Sequence, residues 1–224
     1  MKKTLREFYT CMEAHYGPTG WWPGDTPFEI AVGAVLTQNT AWTNVERAID
    51  NLKSEKLLTA RAIVECPLDR LETALTPSGY FRVKARRLRS FCEYLLTRYG
   101  GSMRRMQRQP LGSLRPELLD VHGVGPETAD DILLYACGKL VFVVDAYTRR
   151  IFSRHGIVAP NIAYEDLRRF FEKNVEPDLH LYSEYHALIV YVGKDYCRRT
   201  PRCAECPLGP TLRKGQPVCE RRLR

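Results

Sequence analysis

Leu118-Leu119-Asp120-Val121-His122-Gly123-Val124-Gly125-Pro126-Glu127-Thr128-Ala129-Asp130-Asp131-Ile132-Leu133-Leu134 reads as the end of one helix, a tight loop and the start of another. The glycines permit backbone angles and close approaches that a side chain would block. Proline suits the first helical position, where its missing N–H would be orphaned anyway. The open N–H groups and positive end of the second helix then suit a phosphate. Taken alone, such a turn is equally a plain corner between two helices. Twenty residues beyond Gly125, however, the chain runs Val143-Val144-Asp145-Ala146-Tyr147-Thr148-Arg149-Arg150. This places an aspartate after an apolar run at a helix start, a position where Asp is also a frequent N-cap.

Helical periodicity extends outward on both sides of this segment. Leu5–Tyr16, Phe28–Thr37, Ala41–Leu52, Val83–Tyr99, Leu114–Val121, Glu127–Ala136, Ala146–His155, Tyr164–Asn174 and Ser183–Tyr196 carry apolar residues at three-and-four spacing. The β-like run Leu140–Val144 is short and flanked by Gly138 and Asp145, so it reads as a buried connector. An all-α protein is expected. Gly17-Pro18-Thr19-Gly20, Pro23-Gly24-Asp25, Pro77-Ser78-Gly79 and Gly100-Gly101-Ser102 break the helices. No repeat or low-complexity linker interrupts the pattern, which suggests two compact helical lobes.

The 224 residues, 44% hydrophobic and 27% charged, are ordinary for a globule. No apolar stretch approaches the roughly 18 residues that a spanning helix needs, and Met1-Lys2-Lys3-Thr4-Leu5-Arg6-Glu7 lacks a signal-peptide core. A cytoplasmic, nucleoid-associated monomer is expected, with no membrane partner. The net charge is +8, and from Arg82 to Arg108 there are nine Lys or Arg against Glu93 alone. Such an excess attracts a polyanion, though a basic run is often no more than a solvated helix face. Cys11, Cys66, Cys92 and Cys137 lie singly in apolar patterns and read as small buried hydrophobes. Cys197, Cys203, Cys206 and Cys219 crowd a segment rich in Arg, Pro and Gly that has too few apolar residues to make a core. That segment needs a ligand to order it, and four such thiolates suit an iron–sulfur cluster or tetrahedral zinc alike.

Hairpin, helix, apolar run and Val144-Asp145 together resemble the endonuclease III superfamily of base-excision DNA glycosylases, from about Pro27 to Cys206. The resemblance implies a six-helix barrel over residues 27–139 that includes the helix-hairpin-helix. Residues 1–26 and 140–224 would form a second, discontinuous helical domain ending in an iron–sulfur-bearing loop. Asp145 would be the catalytic carboxylate, acting on a base flipped from double-stranded DNA. The DNA contacts would come from His122, Gly123, Val124 and Gly125 in the hairpin, from Gln38 near the space left by the flipped nucleotide, and from Tyr80 as a wedge in the helix stack. Without the resemblance, Gln38 is a polar residue at a helix end and Tyr80 a turn aromatic covering the core.

Bifunctional members carry a lysine two residues after the second hairpin glycine, where its amine attacks the sugar. Here that residue is Glu127. A monofunctional enzyme is therefore expected, with AP lyase activity weak or absent unless Lys139 or Lys194 substitutes, and with a separate AP endonuclease acting next. Trp21-Trp22-Pro23, Leu36-Thr37-Gln38-Asn39-Thr40 and Trp42 are similar to the bacterial 3-methyladenine DNA glycosylases of the superfamily. That likeness implies a base pocket of Trp21, Trp22, Pro23, Trp42 and Lys194, whose indoles would stack on an electron-poor alkylated purine. Oxidised pyrimidines, T/U mismatches and a non-catalytic damage-binding role are the alternatives. The superfamily position favours a [4Fe–4S] cluster over zinc at the four cysteines, although their spacing of five, two and twelve residues departs from the usual one in the first and last gaps.

Overall fold

The computed structural model describes residues 1–212, which contain twelve α-helices and no strand. The chain divides into two compact units: Pro23–Lys139 is continuous, and Met1–Trp22 joins Leu140 onward in an interrupted one. Helix α1 (Lys2–Tyr16) opens the interrupted unit. The continuous unit holds α2 (Pro27–Leu36), α3 (Trp42–Ser54), α4 (Ala60–Glu65), α5 (Leu68–Ala74), α6 (Phe81–Tyr99), α7 (Met103–Gln107), α8 (Leu111–Leu119) and α9 (Pro126–Asp131). The interrupted unit resumes with α10 (Ala146–Arg154), α11 (Tyr164–Asn174) and α12 (Leu179–Asp195).

In the continuous unit α2 is the central helix, buried from Ala31 to Leu36. An apolar run without a polar face leaves it no surface to give to water. Thr26 caps it by accepting from the Glu29 N–H, with Pro27 at the first position. Helix α6 buries one stripe, Lys84, Ala85, Leu88, Phe91, Cys92, Leu95 and Tyr99. Its outer end is tied to α8 by Glu117, which accepts from Tyr94 at 3.0 Å, Tyr99 at 2.6 Å and Arg98 at 2.9 Å. Those donors hold the Glu117 carboxyl below its usual range. Arg115 on α8 donates to both oxygens of Asp130 on α9, at 2.7 and 3.1 Å, with the carboxylate fully buried. This two-point pair fixes the angle between the helices that flank the hairpin.

The expected helix over Glu127–Ala136 has two parts: α9 ends at Asp131, and Ile132–Ala136 continues as a π-helical turn. Helices α4, α5 and α7 are too short to show a period in the sequence, which is why that reading left them out.

The interrupted unit is built on aromatic packing. Phe142 stacks on Phe171 at 4.5 Å, Phe152 meets Phe171 edge-on at 4.8 Å, and Phe8 stacks on Phe152 at 5.2 Å. The Tyr185 hydroxyl donates to the Leu5 carbonyl at 2.7 Å, which satisfies its one polar atom in a buried setting. The connector Leu140–Val144 forms no strand; Val141–Val144 are buried as expected, whereas Leu140 is 46% exposed. Where α10 meets α12, Gly193 leaves room for the Tyr147 ring: a Cβ there would lie 2.3 Å from the ring and 2.8 Å from the Tyr147 Cβ. Arg150 closes the contact by donating to the Gly193 carbonyl at 3.0 Å.

This contact gives a test with an informative sign. In an open helix, Gly to Ala adds about 1 kcal/mol of stability. Gly193→Ala is expected to cost roughly 1–3 kcal/mol instead, because the methyl must displace Tyr147. A thermal melt showing net stabilisation would contradict the close approach.

Candidate active site

The hairpin lies wholly in the continuous unit. Gly123 has φ +84°, and a Cβ on it would fall 2.1 Å from Cγ of Arg87. A side chain is thus excluded both by backbone angle and by the arginine stem beneath the loop. Val124 is buried, and its N–H donates to the Val121 carbonyl at 3.0 Å. It therefore anchors the loop, whereas His122 and Gly125 are exposed. No side chain caps α9, which begins at Pro126 directly after Gly125.

Gln38 is drawn into the same loop. Its amide donates to the Gly123 carbonyl at 3.1 Å and to Thr128 Oγ1 at 2.9 Å, and its oxygen accepts from Arg87. The side chain expected in the DNA is thus engaged at both ends, its nitrogen with the hairpin and its oxygen with Arg87 of α6. The next residue, Asn39, is exposed with φ +55°. The sequence reading passed over both Asn39 and Arg87.

Tyr80 does not cover the core. It is 72% exposed and holds φ +45°, a left-handed conformation that bulky residues rarely adopt. Its carbonyl accepts from the N–H groups of Val83 and Lys84, both at 3.0 Å. The Lys84 ammonium, buried beneath, donates to the Ser78 carbonyl at 2.6 Å and braces the turn that presents Tyr80. Burial, and then the charge of Arg87, push the Lys84 pKa down to about 8.

The basic run over residues 82–108 is only partly a surface feature. Arg87 and Arg89 bond to Gln38 and the Cys66 carbonyl, Arg98 pairs with Glu117, and Lys84 is buried. Arg82, Arg86, Arg98, Arg104, Arg105 and Arg108 are exposed.

Asp145 lies in the interrupted unit and caps α10. Its Oδ1 accepts from the Thr148 N–H and from Thr148 Oγ1, both at 2.7 Å, and Thr148 Oγ1 accepts from the Asp145 N–H at 3.3 Å. The cap uses Oδ1 alone. Oδ2 faces Nε2 of His186 on α12 at 3.9 Å, and the two side chains are only 10% and 6% exposed. Burial lowers the His186 pKa, against the pull of Asp145 and with the help of Lys194. The sequence reading passed over His186, which the fold brings beside Asp145, since a lone histidine in an apolar helix carries no motif.

Three of the residues expected in the base pocket share the interrupted unit. Trp21 and Trp22 meet edge-to-face at 5.7 Å, and the Lys194 ammonium lies 5.9 Å from the centre of the Trp21 ring. Tyr191 packs edge-on against Trp21 at 5.9 Å, and Ser183 donates to the Trp21 carbonyl at 3.0 Å. Pro23 and Trp42 belong to the continuous unit, where Pro23 is exposed and Trp42 Nε1 donates to Glu46 at 2.8 Å. Glu127 is exposed on the first turn of α9.

Cys197, Cys203 and Cys206 line one pocket together with Ile151, Arg154 and Val192. Arg154 donates to the Cys197 sulfur at 3.2 Å. Arg150 Nε donates to the Cys197 carbonyl at 2.6 Å. Burial raises the Cys206 thiol. Cys219, the fourth expected ligand, lies outside the described residues. The three cysteines thus share a pocket, although among the described residues no three His, Cys, Asp or Glu side chains are gathered closely enough to hold a metal ion.

Residues 32–177 match the HhH-GPD superfamily of base excision DNA repair proteins, and the chain belongs to that superfamily. Within it, the chain is a DNA glycosylase. It is 45% identical, over 91% of its length and 93% of the relative's, to the "Putative DNA repair glycosylase" of Methanocaldococcus jannaschii. It is 27% identical to endonuclease III of Bacillus subtilis, over 85% of this chain and 82% of that one. Helicobacter pylori 3-methyladenine DNA glycosylase, solved bound to 1,N6-ethenoadenine, superposes with a TM-score of 0.74 at 30% identity, covering 85% of this chain and 97% of that one. A non-covalent endonuclease III–DNA complex superposes with a TM-score of 0.80 at 25% identity, covering 96% of each. Among the described residues, no helix is long and apolar enough to cross a membrane.

The Lys84 brace makes stability depend on alkali. The unfolded chain holds this proton up to its ordinary pKa of about 10.4, whereas the folded chain releases it near 8. Stability is therefore expected to rise by on the order of 2 kcal/mol as pH climbs through that window. Urea titrations at several pH values should show the rise in the native chain and its loss in Lys84→Met. A native profile that is flat through the window would count against the buried, depressed ammonium.

Proposed function

We propose that this chain is a monofunctional glycosylase that hydrolyses the N-glycosidic bond of an alkylated purine such as 3-methyladenine, flipped out of double-stranded DNA. The observation that carries this reading is the division of labour in Asp145, with Oδ1 committed to the helix cap and Oδ2 left over. As the bond from C1′ to the base nitrogen breaks, positive charge grows on the sugar. A carboxylate oxygen beside it stabilises that charge or takes the proton of the attacking water. Trp21 and Trp22 offer π faces to an electron-poor base, and such a base leaves readily, so the site needs no strong general acid. The hairpin and the open end of α9 supply backbone groups for a phosphate, with Tyr80 poised as a wedge.

Glu127 at the position of the lyase lysine supports simple hydrolysis, which leaves an intact abasic strand for a separate AP endonuclease. A second reading has one observation in its favour. The Lys194 ammonium near Trp21 opposes a cationic base in the ground state, which favours a neutral lesion such as an oxidised pyrimidine or a mismatched T or U.

Cys197, Cys203, Cys206 and Cys219 would hold a [4Fe–4S] cluster, with zinc as the alternative. Bound there, the group supplies cross-linking of the chain rather than chemistry at the sugar. Arg154, at the Cys197 sulfur, and Arg150, at the Cys197 carbonyl, would brace the segment that holds it. The purified protein is expected to contain iron and acid-labile sulfide and to bleach on reduction. Stoichiometric zinc without iron would replace the cluster assignment.

The activity is tested on a panel of duplexes, each bearing one defined lesion and analysed with and without alkali. Strand breaks are expected only after alkali, with methylated purines cleaved fastest. Asp145→Asn is expected to lower the single-turnover rate about 10²–10⁴-fold while DNA binding persists. Efficient borohydride trapping of the native enzyme on DNA would defeat the monofunctional reading, and faster removal of neutral lesions would select the second reading.

A further inference from the structure

We infer that His186 is a positioning residue for the Asp145 carboxylate, its imidazole steadying Oδ2, the oxygen that the helix cap leaves for reaction. The inference rests on the reading of Asp145 as the reacting carboxylate.

Three observations support it. Oδ1 already accepts two bonds from Thr148, so any further orienting contact falls to Oδ2. Oδ2 meets Nε2 of His186 at 3.9 Å, about 1 Å beyond an ordinary N–H···O bond. Hydrogen bonds at a reacting group are often long before substrate binds and tighten in the complex. Finally, the imidazole sits among Tyr185, Ala187, Leu188, Ile189 and Val190, in a stretch of α12 where an apolar side chain would pack at lower cost.

A neutral ring is what this geometry requires. A neutral N–H can orient Oδ2 while leaving its negative charge intact, whereas an imidazolium would pair with the carboxylate and cancel the charge offered to the sugar. Burial keeps the ring neutral by lowering its pKa. The charged groups acting on it are Asp145, at the start of α10, and Lys194, further along α12. Around it, Glu184 is held by Thr19, and α1 meets α12 through Tyr9 against Tyr185, His15 against Tyr196 and Tyr16 against Asp195. The protonated form appears only as pH falls below the usual histidine range. Activity should therefore show an acid limb that belongs in part to His186.

The test uses the full chain with its native metal content and the lesion duplex that the native enzyme cleaves fastest. Single-turnover rates are measured at saturating enzyme over a pH series, alongside the dissociation constant for the same duplex. His186→Phe, which keeps ring volume but has no N–H, is expected to lose about 10–100-fold in rate, the usual scale for partners that orient a reacting group, with affinity unchanged. His186→Gln, which retains an N–H near the Nε2 position, is expected to recover most of the rate and to shift the acid limb to lower pH. A native rate in His186→Phe would overturn the inference, as would an unshifted acid limb in His186→Gln. If His186→Phe does not fold, the His186→Gln profile decides alone. Asp145→Asn separates the two claims: full activity in that variant overturns the parent reading, while loss there with full activity in His186→Phe overturns only the role of His186. A native enzyme inactive on every lesion brings down both.

Discussion

The close approach of Tyr147 to Gly193 is the constraint on which the chemistry of the interrupted unit depends. Without a Cβ at position 193, the first turn of α10 can lie against α12. Asp145 is the residue just before that turn, so its distance from His186 is fixed by the same contact. Arg150, one turn further along α10, donates to the carbonyls of both Gly193 and Cys197. Arg154, one more turn on, reaches the Cys197 sulfur and the Arg198 carbonyl. A single helix thus carries the carboxylate at one end and grips the cysteine segment with the next two turns. Whatever orders Cys197 therefore also orders the end of α12 and, through Arg150, the seat of α10.

Asp145 also shows why a structural and a catalytic reading of one residue need not compete. A carboxylate has two oxygens, and a helix cap takes one. The cap locks the side-chain torsions, so the remaining oxygen is held rather than swept through space. Preorganisation of this kind is what makes a charge effective against a developing cation. The same economy holds in the hairpin, where Arg87 lies under Gly123 and orients Gln38, which in turn holds the Gly123 carbonyl.

Much of the fold was legible because long amphipathic helices announce themselves. The buried stripe of α6 and the capped start of α10 follow directly from residue spacing. The short α4, α5 and α7, and the π turn after Asp131, depend on tertiary packing that no local period encodes. Of the proposed site, Asp145 and the glycine loop were readable as candidates because backbone and charge requirements restrict those positions to few residue types. His186 was not, because its meaning comes from a neighbour 41 positions away in the chain. The basic run misled in part for the opposite reason: Arg87 and Arg89 look like surface charge in the sequence but are half-buried and engaged by Gln38 and the Cys66 carbonyl.

On the proposed reading, Lys194 acts in the reaction through a change of charge rather than a static one. When the glycosidic bond breaks, its electron pair goes to the base, so the base becomes more negative by one unit whatever its starting charge. A cationic alkylpurine becomes neutral, and a neutral base becomes anionic. An ammonium beside Trp21 therefore opposes the bound state of a cationic lesion and is relieved of that repulsion as the bond opens. For a neutral lesion it costs little at first and attracts the leaving anion later. Both are differential effects between ground and transition state, which is the form of interaction that raises a rate. The lysine that weakens binding of one lesion class thus lowers the barrier for both. Affinity measured on intact lesions is for that reason a poor guide to which base this site removes fastest.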